Sequence, residues 1–330
     1  MSNALHILLV APEAQTPTSL EALRDQLQIL AALGCRVSLL GALDPDAVGL
    51  DGAHYSPRPA SWWPQPWRRW RNPLGYSLSQ CLQQDPSIDI IHLLGFNRAA
   101  APLLRQAQQL QAPAVVELLH PTDLPSSHTP RPLIAALNHA SAVIVPTAEL
   151  LGAARSQGVE KLCLITPGVD LDRFKPTTSK RPLREALGLP PQGTLVATLS
   201  TSYQATQARL QQLHSPATIV LIDADPTRLL PACDLYFDLT THHTPSLLQA
   251  LSCGLPVVVA PSPLALTYTD SLRCGLIDQT EDPTTTRQLA RLLSNSAYRQ
   301  SRAILARPYV RKHFSLNNRE QSYRRLYQSL

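Results

Sequence analysis

The chain has 330 residues, a net charge of +5, 16% charged residues and 30 prolines. That length suits two ordinary domains, each with its own core, and the composition fits a compact protein with proline-marked loops, not a disordered one. The final 32 residues hold 8 basic and 1 acidic side chains, so the positive surplus lies there; a general nucleic-acid-binding surface is excluded and a local anionic contact is left open.

The N-terminus, MSNALHILLVAPE, lacks a basic n-region and reads as a first strand, not a signal peptide. No stretch reaches the roughly 18 apolar residues that span a bilayer, and the expected location is cytoplasmic. Leu5–Ala11 has the apolar run of a buried parallel strand. Thr18-Ser19-Leu20-Glu21 is a capping box, and Leu20, Leu23, Leu27 and Leu30 share one helix face that Gly34 ends. Arg36–Leu40 is the next strand, completing a βαβ unit. The pattern continues through strands at Ile88–Leu94, Ala114–Leu119, Ala142–Pro146 and Leu162–Ile165. Helices fall at Ala99–Gln109, Ile134–His139 and Ala148–Gln157. A second set of strands falls at Thr194–Ser200, Ala217–Asp223, Leu235–Thr240, Pro256–Ala260 and Leu276–Asp278, with a helix at Thr284–Ser294. In the tail, Tyr323, Leu326, Tyr327 and Leu330 make a helical apolar stripe. The six cysteines show no CxxC pair and no metal spacing, and read as reduced, packed thiols.

Two segments carry most of the functional signal. The first is ITPGVDLDRFKP, Ile165 to Pro176, in which Gly168 allows a sharp turn and Asp170 caps the next one. The second is CDLYFDLTTHHTPSLLQALSCGLPVVVAP, Cys233 to Pro261. It reads as a buried strand, a turn rich in hydroxyls and histidines, a short helix and another buried strand. Thr244 suits an N-cap and Pro245 the first helical position. His242, His243 and the hydroxyls of Thr241, Thr244 and Ser246 can bind a phosphate without lysine. Two other readings stay open: a paired-His metal site, which the absence of nearby cysteines or a carboxylate cluster disfavours, and a solvated turn with no ligand.

These segments resemble the donor-side half of the retaining family 4 glycosyltransferases of GT-B fold. Asp89-Ile90-Ile91-His92, Val115 to His120 and VRKHFSLNNREQSYRRLYQSL at Val310 to Leu330 resemble the same family's N-terminal strands and closing helix. The resemblance implies an α/β fold of two Rossmann-like parallel-sheet domains facing across a cleft, with a C-terminal helix crossing back to the first. The expected division is 1–165 for the acceptor-side domain, 166–308 for a shortened donor-side domain and 309–330 for the crossing helix. It implies a nucleotide-sugar donor, a saccharide or lipid-linked acceptor, no metal and no cofactor. It also implies that His120 lines the cleft near the transferred sugar; a capping or surface histidine before Pro121 is the other reading.

Aligned on Ser252-Cys253-Gly254-Leu255-Pro256, the family's two glutamates fall at Thr241 and Gln249. Gln249 can still donate and accept hydrogen bonds to a ribose, but Thr241 brings no negative charge to a developing oxocarbenium ion. The family's Gly-Arg turn and Lys-Gly, which neutralise the donor diphosphate, have no counterpart in Thr201–Ala208, where no basic residue stands. Arg209 is the nearest cation, with Lys180 as another replacement. The span from this first strand to Cys233-Asp234 is short by about one β–α unit.

All four tryptophans fall in one segment, as Trp62, Trp63, Trp67 and Trp70, interleaved with Arg68, Arg69 and Arg71. That composition suits an interfacial anchor or an acceptor contact; a loop packed on the domain or on a partner protein is the alternative. The sequence thus points to a retaining, metal-independent glycosyltransferase with peripheral membrane association at the inner face of the cytoplasmic membrane. The alternative is an inactive glycosyltransferase-fold partner in polysaccharide or glycolipid assembly.

Overall fold

The computed structural model describes residues 4–11, 17–41, 54–55, 82–83, 85–98, 100–119, 123–124, 131–223, 225–240, 246–261, 275–279 and 281–330. They form two compact units, Met1–Thr166 together with Arg319–Leu330, and Pro167–Asn318.

The first unit runs β1 (His6–Ala11), α1 (Pro17–Ala32), β2 (Arg36–Gly41), β3 (His54–Tyr55), β4 (Ile90–Leu94), α2 (Ala101–Gln109), β5 (Ala114–Glu117), α3 (Arg131–Leu137), β6 (Ala142–Val145), α4 (Ala148–Ser156) and β7 (Leu162–Leu164). All strands pair in parallel, in the order β3-β2-β1-β4-β5-β6-β7. The apolar runs of β1, β4 and β6 are buried throughout, as a parallel sheet covered on both faces requires. Helix α1 begins one residue before Thr18, placing the proposed capping box inside its first turn. Gly34, at φ +70°, takes the left-handed conformation just past its end. Thr147 caps α4, its hydroxyl accepting from the Leu150 amide at 3.1 Å.

The second unit runs α5 (Lys180–Ala186), β8 (Leu195–Thr198), a single 3-10 turn at Ser200–Ser202, α6 (Tyr203–Gln212), β9 (Thr218–Leu221), α7 (Pro226–Ala232), β10 (Leu235–Asp238), α8 (Ser246–Ser252), β11 (Val257–Val259), β12 (Gly275–Ile277), α9 (Pro283–Ser294), α10 (Ser296–Ala303) and α11 (Ala306–His313). Its strands are again parallel, in the order β12-β11-β10-β8-β9. The strand order reverses between β8 and β10, which is where a doubly wound sheet opens a crevice beyond its carboxyl ends. The last helix, α12 (Leu316–Gln328), starts in the second unit and places Arg319 onward in the first. Tyr323 and Tyr327 of the predicted stripe are buried; Leu330 lies past the helix end and is exposed.

The segment Pro167–Pro176 turns differently from expectation. Gly168 is not among the residues with positive φ. Asp170 caps the turn that follows, as expected, its Oδ1 accepting the Asp172 and Arg173 amides at 2.9 and 3.0 Å. Val169 then forms an isolated parallel bridge with Ser315.

Candidate functional site

At the switch point of the second sheet, polar side chains fix the strand ends. Thr198 donates its hydroxyl to the Phe237 carbonyl at 2.9 Å, joining β8 to β10. The Asp223 carboxylate, after β9, accepts the Ser200 amide at 3.0 Å and the Ser200 hydroxyl at 3.1 Å. The Ser202 hydroxyl accepts the Leu239 amide at 2.8 Å. Asp238, fully buried at the end of β10, accepts the Thr240 amide at 3.1 Å and the Thr240 hydroxyl at 2.6 Å. This is an Asx turn that launches the chain out of the sheet. The Tyr236 phenol donates to Asp238 at 3.4 Å. Burial pushes that phenol well above its ordinary value, the Asp238 carboxylate pushes it further, and a hydrogen bond with Ser246 opposes both. The phenol therefore stays protonated as a donor.

Helix α8 follows. Leu247, Leu248, Ala250 and Leu251 are buried, and Gln249 is 3% exposed, one turn beyond Ser246. The helix closes at Gly254, with φ +73°, where the Gly254 and Leu255 amides donate to Leu251 and Ala250 carbonyls at 3.0 Å each.

Of the residues singled out from the sequence, Ser246 and Gln249 share this helix. His120, Thr241, His242, His243 and Thr244 lie outside the described residues, as do Trp62, Trp63, Trp67, Arg68, Arg69, Trp70 and Arg71. Arg209 does not offer a free cation. It is buried on α6, and its fork grips Asp278 through two bonds of 2.9 Å, with Thr286 at 3.0 Å and Gln212 at 3.1 Å. A guanidinium surrounded by acceptors in this way is committed to joining α6 to β12 and α9. Lys180 is likewise engaged, with Asp234 at 3.0 Å and with the Cys233 carbonyl.

The first unit holds a buried polar cluster that the sequence reading missed. Glu117, at the carboxyl end of β5, accepts from Arg319 at 2.8 Å and from the Tyr323 hydroxyl. The Tyr327 hydroxyl bonds His92 Nδ1 at 2.7 Å and accepts from Gln26 at 3.2 Å. His92 Nε2 stands 3.6 Å from Glu117, too far for a hydrogen bond. Burial lowers the imidazole to about 4, against the Glu117 carboxylate, with Arg319 adding to the lowering. Gln26 Oε1, His92 Nε2 and Arg319 Nε are buried without a hydrogen bond. The polar His92 within IIHLL and Glu117 ending AVVE were the available signal: a polar side chain inside an apolar strand needs a partner.

The basic tail is also more internal than its charge suggests. Arg299 donates to the Leu292 and Leu293 carbonyls, Arg302 to Tyr298, Arg307 to three carbonyls, Arg319 to Glu117 and Arg324 to Glu320. Arg311, Lys312, Arg324 and Arg325 are exposed. Among the described residues, no helix is long and apolar enough to cross a membrane, and no group of three or more His, Cys, Asp or Glu could hold a metal ion.

Residues 22–173 match the model of Glycosyltransferase Family 4. A comparison with curated protein sequences finds no match. Among solved structures, Anabaena HepE in complex with UDP-glucose superposes with a TM-score of 0.74 at 18% identity, covering 99% of this chain and 100% of that one. Sucrose-phosphate synthase from Thermosynechococcus elongatus gives 0.70 at 15% identity, covering 98% of each chain. WaaG, a glycosyltransferase involved in lipopolysaccharide biosynthesis, gives 0.62 at 15% identity, covering 96% of this chain and 98% of its own. The fold is that of the GT-B glycosyltransferases, two Rossmann-like parallel-sheet domains. The likeness to the family in sequence is thus carried by residues 22–173, and the solved structures show the fold.

Proposed function

We propose that the chain transfers a sugar from a nucleotide-sugar to a saccharide or lipid-linked acceptor, with retention and without a metal ion. The observation that carries this reading is the near full-length likeness to HepE, whose structure holds UDP-glucose. The donor would lie at the carboxyl edge of the second sheet, held by the Thr241–Ser246 turn, with Gln249 toward the ribose hydroxyls. His120 would face the acceptor side. The reading places the protein in the cytoplasm, with Trp62, Trp63, Trp67 and Trp70 and the neighbouring arginines docking it on an anionic membrane or on the acceptor.

Calorimetric titration with a panel of nucleotide-sugars, starting with UDP-glucose, tests this. Saturable binding followed by release of the nucleotide in the presence of acceptor is the expected result. Silence across the panel would leave the second reading, a non-catalytic glycosyltransferase-fold partner in polysaccharide or glycolipid assembly. That reading is favoured by the engagement of Arg209 with Asp278 and of Lys180 with Asp234, since a diphosphate needs cations or backbone amides to neutralise it.

A further inference from the structure

Helix α8 has seven residues, too few to persist on local hydrogen bonding alone. Its position is therefore set by what it touches, and its carboxyl end is held in an unusual way. Arg307, on α11, donates from one nitrogen to the Ser252 carbonyl at 2.8 Å and to the Phe174 carbonyl at 2.7 Å, with the Ser252 hydroxyl at 3.3 Å. Its other terminal nitrogen donates to the Leu171 carbonyl at 2.8 Å. The Ser252 hydroxyl donates in turn to the Phe174 carbonyl at 2.6 Å. At Gly254, a Cβ would lie 3.5 Å from Pro176 Cγ. One guanidinium thus gathers three main-chain carbonyls. One belongs to the end of α8 and two to the segment that opens the second unit. The partial negative charge at a helix carboxyl end favours a cation there.

We infer that Arg307 is a positioning residue for the donor helix: it fixes α8, and with it Ser246 and Gln249, to the Leu171–Phe174 turn. This deepens the proposed function and rests on it, since α8 matters to a ligand only if the donor binds there. The planar fork is what the geometry uses. A lysine keeps the charge but donates from a single nitrogen, so it cannot span the two places that the separate terminal nitrogens of the guanidinium reach.

Arg299 supplies a matched control. It also caps helix carbonyls, those of Leu292 and Leu293 at the end of α9, at 2.8 and 3.0 Å. Arg307→Lys and Arg299→Lys are compared with the wild-type chain by thermal unfolding, amide hydrogen exchange and UDP-glucose titration. Both substitutions are expected to lower Tm by similar small amounts. Only Arg307→Lys should speed exchange at Cys253–Leu255 and weaken UDP-glucose binding about ten-fold, the effect of losing one to two charge-assisted bonds. Ser252→Ala, which removes the bond to Phe174, should shift both readouts the same way and less. Equal exchange in the two lysine variants, or equal UDP-glucose affinity despite faster exchange, would overturn the positioning role alone. A wild-type chain that binds no UDP-glucose would sink the donor reading, and this role with it, whatever the exchange shows.

Discussion

The two sheets follow one plan but manage buried charge differently. In the second unit, Arg209 meets Asp278 through two bonds, and Arg184 meets Asp234 at 2.7 Å while donating to the Ala232 and Gly193 carbonyls. Each cation there is surrounded by acceptors. In the first unit, Glu117, Arg319, His92, Tyr323, Tyr327 and Gln26 share one interior cluster, and three of its polar atoms have no hydrogen bond. Buried polar groups stabilise only when fully paired. The second unit's ion pairs therefore act as fixed ties, and the first unit's cluster is where substitution or pH should act most strongly.

The largest expected effect tests the cluster. Glu117→Ala leaves Arg319 buried without its carboxylate, which should cost about 3–5 kcal/mol in denaturant unfolding. A loss below about 1 kcal/mol would show that the cluster is solvated in solution and that the contrast between the units is false.

The next effect is pH dependence. The folded-state value of His92 lies near 4, below the ordinary 6.5, so the unfolded chain binds the proton more readily between those values. The stabilisation is present above pH 6.5 and is lost as pH falls toward 4, by about 3 kcal/mol in all. His92→Asn should flatten that part of the stability curve. Glu117, Arg319, Tyr323 and Tyr327 are the charged and titratable groups around the ring, and an unchanged slope would show that His92 does not carry the dependence.

A smaller effect tests the second unit. Arg209→Lys keeps the charge but breaks the two-bond grip on Asp278, costing about 2 kcal/mol. UDP-glucose affinity should stay unchanged; a loss of affinity at constant stability would restore Arg209 to the donor site. The smallest effect is at the surface: replacing Asp282, whose carboxylate accepts the Thr284 and Thr285 amides, by Ala should lower Tm slightly in thermal unfolding, as loss of an N-cap does.

These tests follow the line between what local sequence encodes and what it does not. The strands at His6–Ala11, Ile90–Leu94, Ala142–Val145 and Val257–Val259 were legible because a parallel sheet buried on both faces needs apolar runs, which His92 alone interrupts in Ile90–Leu94. The two-residue β3 carries no such pattern. Helix α8 was legible from Thr244 and Pro245, which suit an N-cap and a first helical position. The partners that decide the site's electrostatics were not. Asp278 lies 69 residues from Arg209, Ser252 lies 55 from Arg307, and Glu117 lies 202 from Arg319. An arginine reads the same in sequence whether it will meet a phosphate or a carboxylate folded in from elsewhere. That is why the tail's 8 basic residues suggested one charged surface, where the fold buries Arg319 and half-buries Arg299, Arg302 and Arg307 against internal acceptors.

The most direct test of the donor reading is a crystal structure of the chain with UDP-glucose. The account predicts the nucleotide beyond the carboxyl ends of β8 and β10, with Gln249 within hydrogen-bond distance of the ribose and the diphosphate against the Thr241–Ser246 turn. A nucleotide bound elsewhere, or none at millimolar UDP-glucose, would contradict it.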